Sequence, residues 1–192
     1  DQKSGVGISI IGGMDNVIQG NYIGTNATGI GKINNSWGIR LAGGRNQFGG
    51  DEIGAGNVIS GNGDPFPRPY YPDGCGGSGV VEESVFDAVT MEFLTVGNSY
   101  KGNRIGTTAS GNAALGNCST GMVVKPQHSS LVGSITEAGR NTISGNKENG
   151  LYCSYVPRSI EFSPNLGSVE LPAGFCSITG NNVGTDVTGQ SA

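Results

Sequence analysis

The sequence is poor in the groups that most chemistry and most electrostatic recognition require. It has a single histidine, a single tryptophan, 14 % charged residues and no run of lysine or arginine. With a net charge of −4 and no basic patch, it offers no footing for nucleic-acid phosphates or an anionic membrane surface. No apolar stretch approaches the roughly 18–20 residues of a membrane-spanning helix, so no membrane insertion is expected. The four cysteines, Cys75, Cys118, Cys153 and Cys176, form no CxxC and no Cys/His pair at metal-ligand spacing. Disulfides therefore fit better than a metal site, and no metal or other cofactor is expected.

Carboxylates are equally dispersed. Asp15, Asp51, Asp64, Asp73, Asp87 and Asp186 lie far apart, and the neighbours Glu82 and Glu83 would face opposite sides of an extended strand. His128 has no fixed serine or cysteine partner and reads as an exposed turn residue. No catalytic residue is expected from these patterns, because polysaccharide cleavage needs clustered carboxylates or an acidic calcium site beside a base.

What the chain has in abundance is glycine, 36 residues of it, recurring at fixed offsets beside Ile, Val and Asn. Segments opening Gly-apolar-x-apolar start at Gly7, Gly38, Gly79, Gly121 and Gly150. Their period-two alternation predicts strands with one buried face, with Ile8/Ile10, Ile39/Leu41 and Met122/Val124 turned inward. A second motif, Asn-x-(aromatic or Ile)-x-Gly-Asn, begins at Asn16, Asn57, Asn98 and Asn141, with a cysteine variant at Cys176. It is read as falling once in each coil, with weaker matches at Asn46 and Ser130 forming a third face. Five coils follow, 7–37, 38–78, 79–120, 121–149 and 150–192, in one domain spanning 1–192. Stacked about 4.8 Å apart, they would form an all-β parallel β-helix with an asparagine ladder at its turns.

The combination of GNxIGT, GNxISGN and GIxL resembles the right-handed parallel β-helix repeats of secreted bacterial and archaeal surface proteins, a pectate-lyase-like superfold. The resemblance covers nearly the whole chain. It implies a single-stranded, right-handed helix with protruding loops, and leaves activity open because that fold carries lyases, hydrolases, epimerases, adhesins and structural stalks. The DPH-type epimerase signature is absent.

Three segments leave the repeat: 63–78, 84–96 and 155–175. The first places Phe66, Tyr70 and Tyr71 between prolines, a stiff aromatic surface suited to a glycan or a lateral neighbour, or simply to covering the side of the helix. Cys75 and Cys118 occupy the same turn of adjacent coils, one coil rise apart and inside the disulfide range, which leaves Cys153 to pair with Cys176. Oxidised cysteines imply an extracellular setting. Asn26, Asn34 and Asn117 stand in glycosylation sequons in the turn before a Gly-apolar strand.

The ends carry the functional expectation. Asn-x-(Ile/Val)-Gly-Thr occurs at 21–25 and 103–107, and as Asn182-Val183-Gly184-Thr185 near the C-terminus. Thirteen residues follow the middle copy before the next strand; seven follow the last, and six precede Gly7. Neither end shows a cap, so the sequence predicts head-to-tail homopolymers joined through Ser4, Gly5, Val6, Gly7, Ile8 and Ile10 at one end. Asn182, Val183, Gly184, Thr185, Asp186, Val187 and Thr188 form the other. A start at Asp1 is read as a removed secretion signal and hence a secreted, cell-surface location. The alternatives are a piece of a longer surface protein, a glycan-binding adhesin or tailspike segment, and a polysaccharide-degrading enzyme. Thr25, Thr107 and Thr185 recur only on every second coil, unlike the regular array of an ice-binding face.

Overall fold

The computed structural model describes residues 5–63, 76–83, 86–87, 92–93, 97–125, 129–154, 159–161, 168–170 and 175–191. Among them there is no helix, and the chain is all β. It lays down β1 (Val6–Met14), β2 (Val17–Ile18) and β3 (Tyr22–Ile23), then returns beside its own start with β4 (Trp37–Gly44), β5 (Gln47–Gly49) and β6 (Val58–Ile59). The third pass supplies β7 (Val80–Glu82), a ribbon of β8 (Phe86–Asp87) and β9 (Glu92–Phe93), then β10 (Ser99–Lys101) and β11 (Arg104–Ile105). The fourth has β12 (Met122–Val124), β13 (Ser130–Gly133) and β14 (Thr142–Ile143). The last has β15 (Leu151–Cys153), a ribbon of β16 (Ser159–Glu161) and β17 (Ser168–Glu170), then β18 (Cys176–Thr179) and β19 (Asn182–Val183).

Three parallel five-stranded sheets result, β1-β4-β7-β12-β15, β2-β5-β10-β13-β18 and β3-β6-β11-β14-β19. This arrangement is compatible with a parallel β-helix. First-sheet strands begin within one residue of Gly7, Gly38, Gly79, Gly121 and Gly150, where the glycine pattern puts them. Both ribbons are antiparallel and leave between the first and second sheets, inside segments that the sequence sets apart.

Register is fixed by stacking like on like. Ile39, Val80 and Met122 form one inward column, Phe48, Tyr100 and Val132 a second, and Ile59, Ile105 and Ile143 a third. Every one of them is buried, each contributing about 1.5–3 kcal/mol relative to exposure. The Phe48 and Tyr100 rings stack with centroids 5.0 Å apart.

At the corners between sheets run three asparagine ladders. Asn16, Asn46 and Asn98 hold the first-to-second corner, where Ser130 takes the fourth place. Asn21, Asn57, Asn103, Asn141 and Asn181 hold the second-to-third corner, and Asn35, Asn62, Asn117 and Asn146 the third-to-first. The Asn-x-x-x-Gly-Asn motif falls once in each pass, as the sequence reading has it, but on alternating sheets. The motifs at 16, 98 and 176 lie on the second sheet, those at 57 and 141 on the third. The segments from Asn46 and Ser130, expected on a separate face, share the second sheet with 16, 98 and 176.

Among the described residues two columns of loops alternate from pass to pass. In the second and fourth passes a loop (50–56, 134–140) fills the second-to-third corner, which is short in the other three passes. In the first, third and fifth passes a loop (25–32, 107–114, 185–191) leaves the third sheet instead. Loops two passes apart touch directly. Ala109 N donates to Gly29 O at 3.0 Å, and Val187 N to Gly111 O at 3.1 Å. On the other corner Thr136 Oγ1 donates to Asp51 Oδ1 at 2.8 Å, and Lys101 Nζ meets Asp51 Oδ2 at 2.6 Å. Lys101 first, then Ser134 and Thr136, bring the Asp51 carboxyl down to about 2.

Cys153 and Cys176 form a disulfide, as the sequence pairing expects, with Cα atoms 6.5 Å apart. Cys118 is also disulfide-bonded; Cys75, its expected partner, lies outside the described residues. Replacing both Cys153 and Cys176 by serine is expected to cost about 3 kcal/mol through loss of the loop constraint over their 23-residue separation. Hydrogen exchange should place that loss in β15 and β18, with the core passes little changed.

Candidate functional site at the open ends of the stack

A parallel sheet leaves unpaired backbone groups on its two outer strands, and all three sheets here end at the same two faces. One face is made by β1, β2 and β3, the other by β15, β18 and β19. On the second face the inward columns are uncovered: Ile178 is 51 % exposed and Val183 49 %, whereas Val132 and Ile143 one pass below are fully buried. Tyr152 and Phe175 are exposed beside them. On the first face Val17 and Tyr22 are exposed, and an open groove of about 400 Å³ runs past Ile8, Tyr22, Ile23, Ile33 and Asn35.

The ladders give the two faces opposite hydrogen-bonding character. Each interior asparagine accepts at Oδ1 from the pass before it and donates to Oδ1 of the pass after it, except Asn98, whose N–H donates to Ser130 Oγ. Asn57 Oδ1 accepts from Asn21 N at 3.0 Å and Nδ2 at 2.9 Å, while Asn57 N and Nδ2 donate to Asn103 Oδ1 at 3.1 and 3.0 Å. The first face therefore ends in acceptors, since among the described residues no donor reaches Oδ1 of Asn16, Asn21 or Asn35. The second face ends in a donor, the Asn181 N–H, with no acceptor among the described residues.

The residues picked from sequence fall on these faces. Gly5 O accepts from Ser36 N, Val6 pairs with Trp37, and Ile8 and Ile10 pair with Ile39 and Leu41 as the outermost members of their columns. Gly7 packs so closely on Gly38 O that a side chain there would collide with it. Ser4 lies outside the described residues. At the other end Val183 and Val187 are exposed, and Gly184 has φ 78°. Asp186 Oδ1 accepts from Thr188 Oγ1 at 2.6 Å and Thr188 N at 3.0 Å, closing the 185–191 loop. Those bonds, the Thr188 hydroxyl first, hold its carboxyl below the ordinary aspartate range. Thr185 Oγ1 donates to Asp186 O at 3.3 Å.

Sequence reasoning missed Asn16, Asn21, Asn35, Asn181, Tyr22 and Ile178 as end-face groups. Ladder position marks the asparagines and column position the apolar residues, and both become visible only once register is known.

Other sequence candidates separate clearly. Asn117 is 1 % exposed, and its amide donates to Ile59 O and Asn146 Oδ1, so the folded chain has no room for a glycan there. Asn34 Nδ2 donates to Gly63 O, and Asn26 Oδ1 caps its loop by accepting from Thr28, Ile30 and Gly31. Thr107 is 2 % exposed, so the three loop threonines make no surface array. Phe66, Tyr70, Tyr71 and His128 lie outside the described residues. Glu82 and Glu83 do face opposite ways, Glu83 pairing with Arg40 at 2.9 Å outside while Glu82 is buried. On the side of the stack, a cleft of about 430 Å³ between the two loop columns is lined by Glu52, Ile53, Arg104, Glu137, Arg140 and Val187, among others.

No helix among the described residues is long and apolar enough to cross a membrane. The chain matches no family model, no curated protein and no solved structure.

Proposed function

We propose that this chain is a non-enzymatic structural subunit: a right-handed parallel β-helix of five coils, of the repeat family its motifs resemble, that stacks end to end into an extracellular filament. The observation that carries this reading is the complementarity of the two faces. One presents strand edges and Oδ1 acceptors, the other strand edges, an unmet N–H donor and half-exposed Ile178 and Val183. A contact between unlike faces does not close on itself and so propagates. The Cys153–Cys176 disulfide supports an oxidising, secreted setting at the cell surface. Electron microscopy of the purified chain at neutral pH should show thin fibres with an axial rise of about 24 Å per subunit, five strand spacings. Fibres with only lateral contacts, or persistent monomers, would overturn it. The lateral cleft beside Arg104 and Arg140 supports glycan binding as the second reading. Monomers that bind a surface glycan through that cleft would select it.

A further inference from the structure

Stacked loops impose a rule on any end-to-end joint, and plain continuation of the stack breaks it. Two columns of loops set the rule: 25–32, 107–114 and 185–191 follow the third-sheet strand directly, and 50–56 and 134–140 fill the second-to-third corner. Within each column the intervening pass is short at that position, the 63–78 segment leaving only after Asn62. The 107–114 loop sits over the short third-to-first corner of the fourth pass, meeting the 185–191 loop through Val187 N and Gly111 O. The 50–56 and 134–140 loops close over the short corner at Gly102, whose N–H donates to Gly139 O at 2.8 Å. Because each sheet holds five strands, an odd number, the first and last passes are of the same kind.

The last pass is tall at two corners. Its ribbon β16–β17 leaves between the first and second sheets, and its 185–191 loop leaves the third. Its single short corner is Gly180-Asn181, between β18 and β19. The first pass is tall only at 25–32, after the third sheet; Asp15-Asn16 and Gln19–Asn21 are short. Placing a second copy in straight continuation would put loop 25–32 one strand spacing, about 4.8 Å, from loop 185–191, half the separation at which such loops already touch. It would also leave the space above Gly180 empty. Rotation toward the ribbon corner puts loop against ribbon. Rotation the other way seats loop 25–32 over Gly180-Asn181 and leaves both tall corners of the last pass facing short ones.

We propose that consecutive subunits are rotated by one face of the three-sheet stack, about 120°, so that the third-to-first corner of one copy sits on the second-to-third corner of the next. This rests on the end-to-end reading above. It assigns the unmet groups to each other: the Asn181 N–H of one copy donates to the Asn35 Oδ1 of its neighbour, extending one ladder into a different one. The surface is thus specific for a second copy of this chain in one of three orientations. Each ledge of loops follows a helical path from subunit to subunit instead of a straight line.

Cysteine pairs distinguish the three orientations, since residues one strand spacing apart at a joint lie inside the disulfide Cα range. Three double variants are compared after oxidation on denaturing gels: Asn35→Cys with Asn181→Cys, Asn21→Cys with Asn181→Cys, and Asn16→Cys with Asn181→Cys. All four sites lie on open end faces, where the ladders are already incomplete. The expected result is a covalent multimer ladder from the first variant and at least tenfold less from the other two. Multimers from the Asn21 variant would establish straight continuation, and multimers from the Asn16 variant the opposite rotation; either overturns the proposal. Wild-type fibres supply the check free of substitutions, because their helical reconstruction should show a rotation near 120°, and a value near zero overturns it. Absence of fibres from the wild-type chain, with no multimers from any variant, would remove the end-to-end reading itself.

Discussion

Replacing Asn103 by alanine is expected to lower the free energy of unfolding by about 3–6 kcal/mol. Asn103 is 1 % exposed and sits mid-ladder, with Oδ1 accepting from Asn57 N and Nδ2 and Nδ2 donating to Phe48 O and Asn141 Oδ1. Alanine removes the acceptor for two buried N–H groups and the donor for one buried carbonyl, and no water can reach them between packed passes. Each orphaned group costs about 1–3 kcal/mol, and the cavity adds to that. Asn103→Asp should be nearly as damaging, because a carboxylate cannot donate to Phe48 O. Asn16→Ala, at the open end of its ladder, should cost less than about 1 kcal/mol. Urea midpoints of the three variants decide the matter. Equal losses at Asn16 and Asn103 would show that the ladder acts through the unfolded chain and not through buried bonds.

A second large effect is expected at Glu82. Its side chain is fully buried beneath Leu41, where Tyr100 Oη donates to Oε2 at 2.6 Å and Ser130 Oγ to Oε1 at 2.9 Å. It mends the one interior gap in the first-to-second ladder, since Ser130 holds a place that asparagine holds in the passes before it. Burial raises the Glu82 carboxyl above its ordinary range, an effect only partly offset by hydrogen bonds from Tyr100, Ser130 and Asn98. The folded state therefore binds this proton more tightly than the unfolded chain does. The stability it contributes is fully present below the unfolded value near 4.5 and is lost as pH rises through the folded one. Urea midpoints should fall as pH is raised from that region, and Glu82→Gln should flatten the slope. Glu82→Ala is expected to cost about 3–5 kcal/mol, because it leaves two buried hydroxyl groups, Tyr100 and Ser130, without the acceptor for their O–H and opens a cavity. A wild-type slope unchanged in Glu82→Gln would assign the pH dependence to another group.

The strands of the first sheet were legible because alternation of period two needs only local order, and Gly-apolar-x-apolar repeats it five times. The corners were not. In Asn16 to Asn21, Asn57 to Asn62, Asn98 to Asn103 and Asn141 to Asn146, the motif marks one side of the stack with an asparagine at each end. Which side it marks depends on whether the extra residues of that pass fall before or after it. The 50–56 and 134–140 loops push the motif onto the third sheet in the second and fourth passes. A single motif thus carried two addresses, and only register separates them. Glu82 was legible as facing away from Glu83, but its partners come from the next sheet and the next pass, so its burial as a ladder repair was not. The end faces were legible as places in the chain, while the donor and acceptor that distinguish them follow from the direction in which the ladders run.

The alternation of loops between two corners also sets the unit in which such a chain can change its length. Gly7 and Gly79 are 72 residues apart, and Gly79 and Gly150 are 71, although the single passes within them differ widely in length. A tandem duplication or deletion of one pass would bring loop onto loop in the same column, whereas a change of two passes keeps the spacing at which the 25–32, 107–114 and 185–191 loops, and the 50–56 and 134–140 loops, meet. Lengthening or shortening in steps of two passes is therefore expected to leave the loop columns intact, which makes the pair of passes the natural unit of repetition.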